Sequence, residues 1–146
     1  MYLIDTNIFL EAILEQDRAE EARNLFKYIG ISESYISDFT LNSIGIILFK
    51  LNKHNYFEII IDDIIANNTE ILSIDINSLK DLIPISIKYN LDYDDAYQYL
   101  IAEKYDLKIV SFDKDFDRTE KGRIEPKMIT HIWLTFHIKS FFLKIL

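Results

Sequence analysis

The chain has 146 residues, 49% of them hydrophobic and 14% aromatic, enough for one domain with a substantial core and too few for two ordinary ones. It contains no cysteine, which excludes disulfides, thiolate metal sites and cysteine nucleophiles and leaves oxygen ligands and three histidines for any metal. A formal charge of -8 argues against a general nucleic-acid coat protein, which needs surplus lysine and arginine to displace counterions from phosphates.

Met1 to Asp5 reads as a short buried strand, after which Thr6-Asn7 turns the chain into an apolar helix over Ile8 to Leu14. Asp17 is placed to cap a second helix, with Glu20 completing a capping box, Ala19, Ala22, Leu25, Phe26 and Ile29 on one face, and Gly30 as the stop. Tyr35-Ile36-Ser37 predicts a second strand, followed by a helix opened by Asp38 or Thr40 and carrying Ile44, Ile47, Leu48 and Leu51. Asn55 to Asn67 predicts another helix with Tyr56, Ile59, Ile60 and Ile64 turned inward. Glu70 to Asp75 predicts a third strand, and Asn77 to Tyr89 a helix that Pro84 bends or splits. Leu91-Asp92 leads into a helix reaching toward Tyr105, and Lys108 to Phe112 is the fourth predicted strand. Strands alternating with helices over short connections predict a parallel α/β sheet in a single domain spanning 1–146.

Residues 129–146 form an apolar extension. Ile132, Leu134, Phe136 and Ile138 alternate as in a strand, whereas Ile138, Phe141, Phe142 and Ile145 suit a helix, so both states stay open. His131, His137, Lys139 and Lys144 would each be costly within a bilayer, so a packed edge, a dimer contact or a partner groove is the expectation, with no membrane span. Asp5 interrupts the first apolar run, which removes the pattern of an export signal and favours the cytoplasm.

Chemistry concentrates in aspartates. Tyr2-Leu3-Ile4-Asp5 and Ile109-Val110-Ser111-Phe112-Asp113 end apolar runs with one, and Asp92-Tyr93-Asp94-Asp95-Ala96 opens a helix with several. In an open α/β sheet the carboxyl ends of parallel strands face one crevice, so such residues converge from distant parts of the chain. Two like charges about 4 Å apart repel by about 4 kcal/mol at an effective dielectric near 20, and a bound cation gives that convergence a reason. Hard oxygen donors suit Mg²⁺ or Mn²⁺.

The ordered set Leu3-Ile4-Asp5-Thr6-Asn7, Asp95-Ala96 and Ile109-Val110-Ser111-Phe112-Asp113-Lys114-Asp115-Phe116 resembles the PIN domain family, over nearly the whole chain to Lys127. The resemblance implies a three-layer α/β/α sandwich around a mostly parallel four- or five-stranded sheet. It implies an Mg²⁺- or Mn²⁺-dependent endoribonuclease acting on RNA, most often the toxin of a VapBC-type toxin-antitoxin pair, with a cognate antitoxin protein and a homodimer as partners. Asp5, Asp95 and Asp113 would hold one or two ions that activate a water for in-line attack on a phosphodiester, with Asp115 as a further metal candidate and Asn7 and Ser111 orienting the carboxylates. One position departs from the family pattern: the glutamate usual early in the helix after the second strand is here Ser43. Asp38, Glu11, Asp115 and Asp117 are the acids available to replace it.

Each acid also has a structural account. Asp5 caps the first helix equally well, Asp92 and Asp94 suit a helix N-terminus, and Asp115 and Asp117 share a charged loop with Lys114 and Arg118 that reads first as solvated surface. The cations Lys114, Arg118, Lys121, Arg123 and Lys127 offer a local patch for phosphates. A haloacid-dehalogenase-like phosphatase would need an aspartate where Asn7 stands, and a receiver domain would need an acidic pair beside Asp5. The alternative of another class is a catalytically weakened PIN-fold module that binds RNA or protein.

Overall fold

Short apolar runs supply the strands of this computed structural model, which describes residues 1–29 and 33–131. They are β1 (Tyr2–Ile4), β2 (Ser34–Ser37), β3 (Ile71–Leu72) and β4 (Lys108–Val110), all parallel, in the order β3-β2-β1-β4. Leu3 is in register with Tyr35 on one side and Ile109 on the other, which places β1 at the centre. Among the described residues a single parallel bridge, Val110 to Ile124, extends the β4 edge, so the expected four- or five-stranded sheet is there four strands and one bridge.

Side chains alternate across the strands, and both faces are covered. Leu3 and Ile109 pack with Tyr99, Ile101 and Phe116 on one face, and Ile4 and Val110 with Ile8, Ala22, Leu25 and Ile129 on the other. The first layer comes chiefly from α5 (Leu82–Tyr89) and α6 (Tyr93–Lys104), the second from α1 (Thr6–Leu14) and α2 (Ala19–Tyr28). Helices α3 (Asp38–Lys50) and α4 (His54–Ala66) follow β2. The predicted three-layer α/β/α arrangement with a parallel sheet is therefore present.

Local chemistry explains most helix starts and corrects three expectations. Asp5 caps α1 and Asp92 caps α6, while α3 is capped by Ser37, whose Oγ accepts from the Thr40 backbone N–H at 2.9 Å, instead of by Asp38 or Thr40. Asp17 does not cap α2, because Glu11 reaches over from α1 and accepts from the Arg18 N–H at 2.8 Å. On α4 apolar residues cover most of the circumference, leaving a polar strip at Asn55, Glu58 and Asp62. Tyr56 and Ile59, expected inside, are exposed, and Phe57, Ile60, Ile61 and Ile64 are half-buried.

Pro84 splits its segment as predicted. A 3₁₀ turn (Ser78–Asp81) precedes α5, and Pro84 falls in the first turn of that helix, where a missing N–H removes no helical bond. The Gly30 stop and residues 132–146 of the apolar extension lie outside the described residues, and 126–131 is helical. Among the described residues, no helix is long and apolar enough to cross a membrane.

Candidate metal centre

Because β1 is central and the chain leaves it toward β2 on one side and returns to β4 on the other, the strand order reverses between β1 and β4. Their carboxyl ends open one crevice there, the general location of ligand sites in such sheets. Asp5 leaves β1 at this point, and its N–H still donates to the Val110 carbonyl at 3.1 Å. Ser111, Phe112 and Asp113 leave β4 beside it. The capped N-terminus of α6 brings Asp95 from the layer above.

One carboxylate oxygen from each of Asp95, Asp113 and Asp115 lies within 4.8 Å of the others. Asp95 is 8% exposed, whereas Asp113 and Asp115 face solvent, so the group has a buried floor and an open rim. Asp115 arrives because Asp113 caps the 3₁₀ turn Lys114–Arg118: Asp113 Oδ1 accepts from the Asp115 N–H at 2.8 Å, folding the second acid back over the first. Arg118 Nη2 pairs with Asp115 Oδ2 at 2.8 Å.

Asp5 stands beside this group and is not one of the three. Its carboxylate is 7% exposed and receives two donors on each oxygen. Oδ1 accepts from the Thr6 N–H at 2.7 Å and from Gln98 Nε2 at 3.2 Å; Oδ2 accepts from Ser111 Oγ at 2.7 Å and from Asn7 Nδ2 at 2.8 Å. Asn7 and Ser111 also bond each other at 2.9 Å, Asn7 Oδ1 accepts from the Phe112 N–H, and Ser111 Oγ accepts from the Asp113 N–H at 2.9 Å. The two residues thus fix both the Asp5 side chain and the backbone that delivers Asp113.

The electrostatics are those of crowded carboxylates. Burial, reinforced by the charges of Asp92, Asp113, Asp5 and Asp94, pushes the Asp95 carboxyl up to about 8. Burial and the adjoining Asp92 raise Asp94 to about 6. Asp5 is raised too, chiefly by burial, although its donors oppose the shift. A divalent cation is the group that such a donor set fits: hard oxygens, one deeply held acid and two on an open rim, which would leave the ion room for waters.

The other acids have structural work. Asp38 accepts from the Tyr97 hydroxyl at 2.8 Å and Glu11 holds the start of α2, while Asp117 pairs with Arg123 at 2.9 Å. Ser43 is half-buried on α3. The cationic patch is largely neutralised. Arg118 pairs with Asp115, Lys121 with Asp106, Arg123 with Asp117 and Glu125, and Lys127 with Glu125, leaving Lys114 as the cation of that loop without an ion pair among the described residues.

Gln98 is the residue that sequence reasoning passed over. It is 2% exposed on α6, one turn after Asp95, and touches both Asp5 and Thr40. A polar residue among Tyr97, Tyr99 and Ile101 was the available signal, since an amide in a wholly apolar helix segment is seldom idle.

Known proteins share this architecture. A toxin-antitoxin complex from Klebsiella pneumoniae superposes with a TM-score of 0.68 at 20% identity, covering 86% of this chain and 98% of that one. FitAB bound to a DNA fragment gives 0.74 at 18% identity, covering 86% and 95%. The sarcin-ricin loop cleaving toxin VapC20 of Mycobacterium tuberculosis gives 0.68 at 13% identity, covering 86% and 98%. At these identities the likeness is one of fold. No curated protein shows a significant sequence match. A family model of the PIN domain matches residues 2–122, most of the chain and all three aspartate-bearing segments, and on that match this protein belongs to the PIN domain family.

Proposed function

We propose that this protein is an Mg²⁺- or Mn²⁺-dependent endoribonuclease and the toxin of a type II toxin-antitoxin pair. The observation that carries the proposal is the closure of Asp95, Asp113 and Asp115 to within 4.8 Å at the switch point of a PIN-family sheet. These three would hold the ion, and Asp5, its acceptor sites already filled, would add its charge from the side. When bound, the ion supplies an activated water and stabilises charge developing on a phosphate. Asn7 and Ser111 keep Asp5 and the Asp113 backbone from moving as that charge changes. Lys114, which has no ion pair among the described residues, would meet the phosphate backbone.

The partners follow from the relatives. Toxin-antitoxin complexes among the structural neighbours support a cognate antitoxin, and a neighbour described as a sarcin-ricin loop cleaving toxin supports an RNA substrate. A homodimer in the cytoplasm completes the proposal. The test is cleavage of structured and single-stranded RNA with Mg²⁺, with Mn²⁺ and with chelator. Cleavage should need the metal and vanish in Asp95→Asn, and an Asp95→Asn protein as fast as wild type would sink the proposal.

The filled hydrogen-bond shell of Asp5 and the serine at position 43 favour a second function, a PIN-fold module that binds RNA or protein without turnover. RNA retention without cleavage, unchanged by chelator, would select it.

A further inference from the structure

Gln98 follows Asp95 by three positions on α6, so the two side chains share a helix face. Both hydrogens of its amide nitrogen are spent, one on Asp5 Oδ1 at 3.2 Å and one on Thr40 Oγ1. Its amide oxygen accepts nothing and is the single buried side-chain polar atom among the described residues left in that state. Such an acceptor costs about 1–3 kcal/mol, and a packing role does not account for it, because methionine would fill the same space without the loss. The oxygen belongs to the planar group whose nitrogen touches Asp5; the Asp5 charge is felt at Asp95, and Asp5 in turn feels the charge of Asp113. Thr40, its other partner, lies one turn before Ser43 on α3. Gln98 therefore joins the acid cluster to the very turn of α3 from which the family pattern would send a glutamate.

We infer that Gln98 Oε1 accepts a hydrogen bond from a water held by the cation, doing from α6 what an acid at position 43 would do from α3. The inference rests on the metal-dependent reading of the site. A carboxylate-held Mg²⁺ keeps several of its waters, and each needs acceptors for its hydrogens. An amide oxygen supplies one without adding another negative charge to Asp5, Asp95, Asp113 and Asp115. Gln98 is thus a positioning residue: its nitrogen holds Asp5 and its oxygen holds a water.

Mn²⁺ titration of the full chain by calorimetry tests this without any cleavage assay. Gln98→Met should bind Mn²⁺ about 10–100-fold more weakly than wild type, the usual effect of losing a partner behind the ligands. Gln98→Glu loses the same donors as Gln98→Met but keeps an acceptor oxygen, so it should bind Mn²⁺ more tightly than Gln98→Met. Adding Ser43→Glu to Gln98→Met should restore most of the affinity. Wild-type affinity in Gln98→Met, affinity in Gln98→Glu no higher than in Gln98→Met, or no rescue by Ser43→Glu would each overturn the inference. If Gln98→Met does not fold, Gln98→Leu takes its place in the same comparisons. A wild-type protein that binds no Mn²⁺ would instead remove the metal-dependent reading, and this inference with it.

Discussion

Ser111 donates its hydroxyl hydrogen to Asp5 Oδ2 at 2.7 Å, though 106 positions separate the two in sequence. The same oxygen of Ser111 accepts from Asn7 and from the Asp113 N–H, so one hydroxyl ties the end of β1 to the end of β4. Ser111→Ala leaves Asp5 with one donor fewer and frees the backbone that carries Asp113. Mn²⁺ affinity should fall about 10–100-fold, as for other residues that orient metal ligands. Calorimetric titration checks it, and an unchanged affinity would mean that Asp113 finds its position without Ser111.

Metal binding should be visible as stability. A ligand that binds only the folded chain stabilises it by about 2.7 kcal/mol at a free concentration 100 times its dissociation constant. Thermal melts of wild type should therefore rise with added Mn²⁺ and fall back on chelation. Asp95→Asn takes the buried acid out of the cluster and should melt at the same temperature with and without Mn²⁺. A metal-dependent rise in Asp95→Asn equal to that of wild type would show that Asp113 and Asp115 bind the ion by themselves.

Much of this arrangement is legible in the sequence, and the exceptions have physical causes. Asp5 and Asp113 announce themselves because each terminates a run of apolar residues, and a parallel strand buried on both faces is such a run. Asp115 is only partly legible: the ordered motif offers it as a further metal candidate, but acids at alternate positions in a charged loop look solvated, and its approach depends on Asp113 capping a 3₁₀ turn. Gln98 is harder to read for a different reason: its apolar neighbours mark it locally, but its partners Asp5 and Thr40 are 93 and 58 positions away, so nothing local shows what its amide touches. The inward face of α4 is misjudged because Ile59, Ile60 and Ile61 are consecutive, and periodicity does not fix which part of so wide an apolar arc turns inward.

The metal-free protein should lose stability as pH rises. Asp95, pushed up to about 8, keeps its proton in the folded chain at pH values where the unfolded chain, with an ordinary value of 3.8, has already lost it. The folded state therefore binds more protons across that window, and its advantage, complete below 3.8, is lost by the time pH passes about 8. Asp94, raised to about 6, acts in the same direction over a narrower range. Denaturant midpoints measured between pH 4 and 9 in chelator should decline across this window, and Asp95→Asn should flatten the slope. Saturating Mn²⁺ should flatten it too, because the cation replaces the proton as the neutralising charge. A metal-free midpoint that climbs with pH would show that the crowding of these carboxylates is not felt in solution.

Tyr97→Phe separates the framework from the site. The Tyr97 hydroxyl donates to Asp38 Oδ1 at 2.8 Å and accepts from the Ile74 N–H at 3.2 Å, tying α6 to the start of α3 and to the chain just past β3. Phenylalanine keeps the ring, which packs against Phe39 with centroids 5.5 Å apart, and removes only the two hydrogen bonds. Leaving the buried Ile74 N–H without a partner should cost about 1–3 kcal/mol. At this chain length that corresponds to a midpoint lower by roughly 3–12 °C. Asp38 was one of the acids available to stand in for the glutamate absent at position 43, and its bond to Tyr97 holds it in a structural role instead. Tyr97→Phe should then leave Mn²⁺ affinity unchanged while it lowers the melting temperature. Tighter Mn²⁺ binding in Tyr97→Phe would mean that the freed Asp38 has turned toward the cluster, and would assign it to the site.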